Sequence, residues 1–551
     1  MKIKLTGFIT GVLGFVIIFL IKPTSGMVVE ASNVVLKHSQ KQVVEAAGVK
    51  RVTLENLEEF LQTAGQIHVK IPKDFSKSGT RGIAISNKGT TLLDAVYLQA
   101  KGLKRTLAIA VLMGIFWITE ALPIPITALI PVVFFPLFRI ASPTSSSMPG
   151  YFNAFTPYMH YLIVLFIAGF TIAEAMKKWG LHERIALNFI SKVGFSRRKL
   201  IFAFMVTTAF ISMFISNTAT TAMMMPIALA ILLSMNEIET NFGKAMMLSI
   251  AYGASIGGIG TLIGTPPNVV LAGFADTLLG VKITFAGWLK IGLPVVVILL
   301  PSAFFIILKV FPYKGRDTGE SKNIITEKLG TLGRMKKGEI NTLVIFMITA
   351  LLWIFSKQIK SHLHIPWMND AVVGMIGVFL FYVVPVNIKK WEFTLDWKTN
   401  EKIPWGTLIL FGGGIALGKA LNNTGAASFI ASHLILAGKA PFILLLFFVV
   451  LLVDFLTEIT SNTATTNMLM PILFALGMAI GRNPLTLMIG GAVAASMAFM
   501  LPVATPPNAI VYGTGAIKIR DMVKVGIILD IVAATLWTLL LYLFHALKIL
   551  P

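Results

Sequence analysis

Apolar stretches of 15 to 25 residues recur along this chain from end to end, separated by short basic or Gly/Pro-rich breaks. A helix of that length crosses a hydrocarbon core of about 30 Å. A transmembrane barrel would instead show segments of about ten alternating residues. Of the 551 residues only 13% are charged and 56% are apolar, whereas soluble domains carry about a quarter charged. The chain therefore reads as an all-α polytopic membrane protein, with the lipid bilayer as its surroundings. It has no cysteine, which removes disulfides, thiolate metal sites and a cysteine nucleophile. His182-Glu183 lacks the second histidine of a zinc-protease helix, so no cofactor is expected. Much of the +22 formal charge lies in short loops between apolar runs, where lysine and arginine set orientation. Nucleic acid is accordingly not an expected partner.

Residues 1–21 read as a first transmembrane helix or signal-like segment. No A-x-A-like cleavage site follows Lys22, which favours a retained helix. Residues 22–104 form a polar extracytoplasmic insert, in which 54–61 has the pattern of an amphipathic helix. Within it Ile67, Val69 and Ile71, then Ile83 and Ile85, alternate as short strands. A first half of the membrane core follows over 105–312, a basic cytoplasmic linker over 313–340 and a second half over 341–551. The expected spans are 106–120, 124–138, 160–176, 246–275, 286–312, 341–356, 370–387, 405–422, 485–515 and 525–547.

Two further apolar segments, 200–235 and 441–478, are each interrupted by a polar Ser-Asn-Thr cluster. The basic links at 177–199 and 313–340, the Lys389-Lys390 pair and the group Lys518, Arg520 and Lys524 share one side only if both segments enter and return as re-entrant hairpins. That side is cytoplasmic by the positive-inside rule. The count gives about 11 transmembrane helices plus two hairpins in the cell (inner) membrane, with the N-terminus cytoplasmic and the C-terminus extracytoplasmic. Lys101, Lys104 and Arg105 then lie against the rule, at the end of a translocated insert.

The chain repeats itself. The run 216–221, Ser-Asn-Thr-Ala-Thr-Thr, recurs at 461–466, 245 residues later. Pro226 and Pro471, Phe166 and Phe411, Gly169 and Gly414, and Gly180 and Gly425 share that offset. Downstream, Gly264-Thr265-Pro266-Pro267-Asn268 recurs as Ala504-Thr505-Pro506-Pro507-Asn508, 240 residues later. A single copy of either motif could be a mere kink or loop end. Two copies of both, at near-constant spacing inside apolar stretches, point to two halves of one fold. The topology count gives the halves opposite orientations, an inverted repeat of the kind that transporters use, with the site where the halves meet.

The motifs carry chemistry through the backbone. In hydrocarbon an unpaired peptide group costs several kcal/mol, so irregular chain survives there only where it lines a cavity. Pro-Pro removes two N–H donors and forces the preceding residues out of helix, which breaks the chain at Thr265 and again at Thr505. Each break, like each hairpin tip, leaves a helix C-terminal end and a new N-terminal end, of opposite partial charge. Carbonyls at the former, with Asn and Ser oxygens, suit a hard cation. Free N–H groups at the latter suit carboxylate oxygens. The two motifs contain no charged side chain, so bound cations can balance an anionic substrate.

These residues resemble the divalent anion/sodium symporter family, which includes sodium/dicarboxylate cotransporters. The paired motifs carry the resemblance, together with 118–125 (Ile-Thr-Glu-Ala-Leu-Pro-Ile-Pro) and 411–414 (Phe-Gly-Gly-Gly). It covers about 105–547, and the insert departs from it. The resemblance implies substrate contacts from Asn217, Thr218, Thr265, Pro266, Asn462, Thr463, Thr505 and Pro506. It implies one sodium among Ser212, Ser216, Asn217 and Gly264, and a second among Thr457, Ser461, Asn462 and Ala504. It further implies a homodimer with a scaffold domain and an elevator-type transport domain, and sodium-coupled uptake of C4-dicarboxylates such as succinate, malate or fumarate. A sodium-independent dicarboxylate or citrate exchanger, or a sulfate symporter, is the alternative on the same fold.

Other polar residues divide differently. Asp454 and Glu458 lie in the second hairpin, but their repeat positions hold Ala209 and Met213. Intramembrane acids are candidates by default, and Glu458 reads either as a cation partner or as a hydrogen-bonded structural group. Glu120 reads as an ordinary interfacial acid. Gly257, Gly258, Gly260 and Gly264 read as close helix packing, since no strand–helix alternation surrounds them. No acid–base constellation points to an enzyme, and repeated closed sites argue against a channel.

Overall fold

A computed structural model describes residues 2–37, 39–70, 84–85, 90–138, 140, 154–313, 320–365, 367–434 and 440–550; Ile71, Ile83 and linker residues 314–319 lie outside them. Among the described residues, five helices are long and apolar enough to cross a membrane unaided: Leu92–Thr119, Asn217–Ser234, Phe285–Val310, Lys337–His362 and Ile519–Ala546. Lys4–Leu20 with Ser25–Lys37 adds a sixth only as a pair bent by 72°. Ile124–Leu137, Asp370–Val383, Phe442–Thr457 and Pro484–Ala494 are apolar but shorter. Along Lys337–Leu363, Val344, Met347, Ile348, Leu351 and Phe355 face outward, the kind of contiguous apolar stripe that a bilayer covers.

Both interrupted segments fold back on themselves. The first comprises Arg197–Ser212 and Asn217–Ser234. Its far ends meet, for Arg197 Nη2 lies 2.8 Å from Glu237 Oε1. A straight helix would hold those residues roughly 60 Å apart at a rise of about 1.5 Å per residue. The second comprises Phe442–Thr457 and Asn462–Ala479, and its ends meet where the Arg482 guanidinium lies 5.6 Å from the centre of the Phe442 ring. The tips are therefore 213–216 and 458–461.

The spans expected at 246–275 and 485–515 are broken rather than continuous. Asn241–Ile259 stops short of the first Pro-Pro, and Pro266–Phe274 starts on it. Pro484–Ala494 and Pro506–Tyr512 flank the second break. Proline can open a helix, where its missing N–H is not needed, but cannot sit in the interior without breaking the ladder. Helix Asn241–Ile259 packs tightly against Arg197–Ser212. A β-carbon at Gly257 would collide with the Ala209 carbonyl, and one at Gly253 would lie 2.7 Å from Met205 O. The glycines thus serve helix packing.

Helix Leu92–Thr119 runs unbroken through residue 104, so the last part of the insert is the start of a core helix. Helices Ser25–Lys37 and Leu57–Gln66 pack on its first turns around Val35, Phe60 and Val96. Strand His68–Lys70 pairs antiparallel with both Ala84–Ile85 and Thr90–Thr91. Two of the three basic residues that fit the charge rule poorly have local partners. Lys104 Nζ donates to Ile21 O at 2.6 Å, and Arg105 Nη1 donates to Phe138 O at 2.8 Å. Each cation meets a carbonyl at the C-terminal end of a neighbouring helix, where the dipole is negative.

The Arg197–Glu237 pair is mostly buried, with side chains 8% and 19% exposed. Arg197→Ala is expected to cost about 3 kcal/mol, and the exposed neighbour change Arg198→Ala about 0.5 kcal/mol or less. Thermal unfolding of the two purified variants checks the difference.

Candidate functional site

The two hairpin tips and the two Pro-Pro breaks face one cavity of about 880 Å³. Asn217, Thr218, Thr265, Pro266, Asn462, Thr463, Thr505 and Pro506 all line it, as do Ser216, Gly264, Ser461 and Ala504. Ser212 and Thr457 do not. Both are fully buried, one layer behind the wall.

The first tip ends at Ser216, whose Oγ accepts from Ala219 N at 3.4 Å and caps Asn217–Ser234. The remaining N–H groups of that first turn, at Asn217 and Thr218, have no partner within the helix. They place the positive end of the helix dipole at the cavity wall. Behind them, Ser212 Oγ lies 2.7 Å from Asn217 Oδ1 and 2.8 Å from Ala254 O. A single hydroxyl proton satisfies only one of these two acceptors. The neighbouring backbone leaves little room: a β-carbon at Gly258 would lie 2.5 Å from Asn217 Oδ1, and one at Gly264 would collide with Gly258 O and lie 3.0 Å from Met213 O. A hydroxyl, an amide oxygen and peptide carbonyls converge here, the all-oxygen donor set that hard cations take.

The second half repeats the arrangement. Thr457 Oγ1 lies 2.7 Å from Asn462 Oδ1 and 3.1 Å from Ala495 O. Ala254 and Ala495 escape a reading of side chains because each contributes only a carbonyl. The breaks are also tied in matching ways. Asn268 Nδ2 donates to Thr261 O at 2.8 Å and Gly258 O at 3.2 Å. Asn508 Nδ2 donates to Leu501 O at 3.0 Å and Ala498 O at 3.2 Å. The last residue of each Thr-Pro-Pro-Asn motif thus gathers carbonyls that the interrupted helix leaves without intrahelical donors. Their shared offset of 240 was the available signal.

The halves differ in how the unwound chain is held. In the first, the Thr261 hydroxyl donates to the Met213 carbonyl. In the second, Glu458 occupies the position of Met213, and its carboxylate accepts from Met500 N and Leu501 N, each at 2.7 Å. Of the two readings left open for Glu458, the geometry supplies the hydrogen-bonded structural one: it holds the unwound chain before Thr505. Sequence reasoning also missed the charged part of the wall, namely Glu174, Lys177 and Lys402, and read Glu120, which lines it with them, as an interfacial acid. Glu174 and Lys177 pair at 2.5 Å. None of the four recurs as the same residue in the other half, so the repeat could not flag them.

The family model for the sodium:sulfate symporter transmembrane region matches residues 94–550. The sodium-dependent dicarboxylate transporter SdcS of Staphylococcus saprophyticus is 39% identical over 453 residues, covering 79% of this chain and 85% of that protein. SdcS of Staphylococcus aureus strain USA300 is 40% identical over 451 residues, with the same coverage. The crystal structure of the Alcanivorax borkumensis YdaH transporter overlaps 72% of this chain and 88% of its own, at 13% identity and a TM-score of 0.49.

Two substitutions test the geometry. Gly264→Ala pushes a methyl group into the Gly258 carbonyl, and is expected to remove one site's share of the stabilisation by sodium, about 2.7 kcal/mol at a hundredfold excess over Kd. Glu458→Ala orphans two partly buried N–H groups and is expected to cost about 1 kcal/mol for each. Thermal unfolding with sodium or choline chloride measures both.

Proposed function

This chain belongs to the sodium:sulfate symporter family, and on that premise we propose that it is a secondary transporter driving the uptake of C4-dicarboxylates such as succinate, malate and fumarate with sodium. The observation that carries the reading is the convergence of both hairpin tips and both Pro-Pro breaks on one cavity. The SdcS relatives are named as sodium-dependent dicarboxylate transporters. On this reading Asn217, Thr218, Asn462 and Thr463 hold the substrate, with Thr265, Pro266, Thr505 and Pro506 beside them. One carboxylate meets the N-terminal turn of each returning helix, where free N–H groups and the side-chain hydroxyls and amides donate.

The cations occupy the two oxygen clusters. Sodium at Ser212, Ser216, Asn217 and Gly264 draws on Ala254 O as well, and sodium at Thr457, Ser461, Asn462 and Ala504 draws on Ala495 O. Each ion binds the Oδ1 of an asparagine whose backbone N–H and amide donors face the substrate. Cation and anion therefore share Asn217 in one half and Asn462 in the other, which gives coupling a direct physical route. Two positive charges balance a dianion held by motifs whose own side chains carry none.

Orientation and movement belong to the same proposal. The N-terminus is cytoplasmic and the C-terminus extracytoplasmic, in a homodimer whose transport domain shifts against a scaffold. Glu120, Lys177 and Lys402 line the cavity, and all three stand at helix ends that the basic-loop count places on the cytoplasmic side. The arrangement is therefore the inward-open one.

Uptake of labelled succinate into proteoliposomes tests the function. It is expected to require an inward sodium gradient, and Asn217→Ala and Asn462→Ala are each expected to lose at least tenfold in rate and to weaken sodium dependence. Uptake supported only by internal counter-substrate would replace symport with exchange. Competition by sulfate but not by succinate would replace the substrate.

A further inference from the structure

The deep wall of the cavity consists of amides, hydroxyls, prolines and peptide ends, and formal charge appears only at its cytoplasmic mouth. Of the four charged residues that line the cavity, Glu174 and Lys177 pair with each other at 2.5 Å. Glu120 and Lys402 remain. Both line the cavity, both are exposed, and among the described residues neither has an ion-pair partner.

Their placement is fixed by the backbone rather than by side-chain contacts. Glu120 closes helix Leu92–Thr119 in the left-handed region, at φ 47 and ψ 36, a conformation that residues with a β-carbon seldom adopt and that concentrates at functional sites. Lys402 sits on the turn between Trp397–Asn400 and Trp405–Thr424. Its N–H donates to Thr399 O at 3.3 Å, and the next residue, Ile403, is buried. The ammonium is thus a free charge on an anchored turn.

We propose that Lys402 is the residue that draws the dicarboxylate into the cavity from the cytoplasmic side, and that Glu120 opposes it, so that this pair of opposite sign sets the apparent substrate affinity on that side alone. This rests on the dicarboxylate reading and on the inward-open orientation. A dianion crossing the mouth feels twice the force of a single charge, and a charge in a low-dielectric mouth focuses the field on ions entering it. Such steering acts over distance and is screened by salt, whereas a structural defect is not.

The test uses full-length protein. Sodium-dependent succinate uptake is measured in whole cells for the outer side and in inside-out vesicles for the cytoplasmic side, at constant sodium. Lys402→Gln is expected to raise the cytoplasmic-side KM about threefold at low ionic strength, and Glu120→Gln to lower it by a similar factor. Both effects should shrink towards unity in about 1 M choline chloride, where the Debye length is about 3 Å. Lys402→Arg should restore the wild-type value, and the outer-side KM should stay unchanged in every variant. Shifts of the same sign in both variants, shifts indifferent to salt, or equal shifts from both sides would overturn the proposal. Absence of sodium-dependent succinate transport in the wild type would instead sink the functional reading beneath it.

Discussion

A peptide group inside a bilayer has no water to turn to, so each place where a helix stops must supply its own partners. This protein stops its helices four times around one cavity, at 213–216, 260–265, 458–461 and 495–505. Each stop is tied down by a small set of side chains. Asn268 and Asn508 gather freed carbonyls, Ser216 and Thr505 accept freed N–H groups, and Glu458 holds two more. The groups left over are the chemistry: carbonyl and amide oxygens on one side of each asparagine, first-turn N–H groups on the other.

That division explains why the motifs need so little side-chain charge. An ion pair buried at such a depth carries a desolvation penalty that its own attraction barely offsets. Peptide ends are already dipolar and already desolvated, and their orientation is set by the fold. The asymmetry between the halves fits the same logic. Where the first half closes its unwound stretch with a hydroxyl on the Met213 carbonyl, the second uses the Glu458 carboxylate on two backbone N–H groups. Glu458 is thus a neighbour of the Thr457 cluster that binds two backbone N–H groups.

The motifs and their spacing were legible in sequence because they answer a physical demand that few residues meet. Pro-Pro can only break a helix there, and a second copy at a fixed offset leaves no room for accident. Ser212 and Thr457 came from the family resemblance, with the offset of 245 between them as a check, and the structure places them behind Asn217 and Asn462 with matching bonds. What stayed hidden has no side-chain signature. Ala254 and Ala495 act through carbonyls, and the repeat says nothing of Lys402 or Glu120, which occur once. The roles of Lys104 and Arg105 depend on which helix end lies beside them, a tertiary fact that charge counting treated as an exception. Several expected spans proved to be broken or bent helices, because apolar length alone does not report where a break falls.

The central claim is that residues on the two tips, 245 apart in the chain, share one ligand. Because the chain has no native cysteine, cysteines introduced at Thr218 and Thr463 can be joined by a short bifunctional thiol reagent without background. The account expects rapid cross-linking within a single chain, slowed by succinate when sodium is present and not when choline replaces it. Failure to cross-link within one chain, or a rate indifferent to succinate and sodium together, would contradict it.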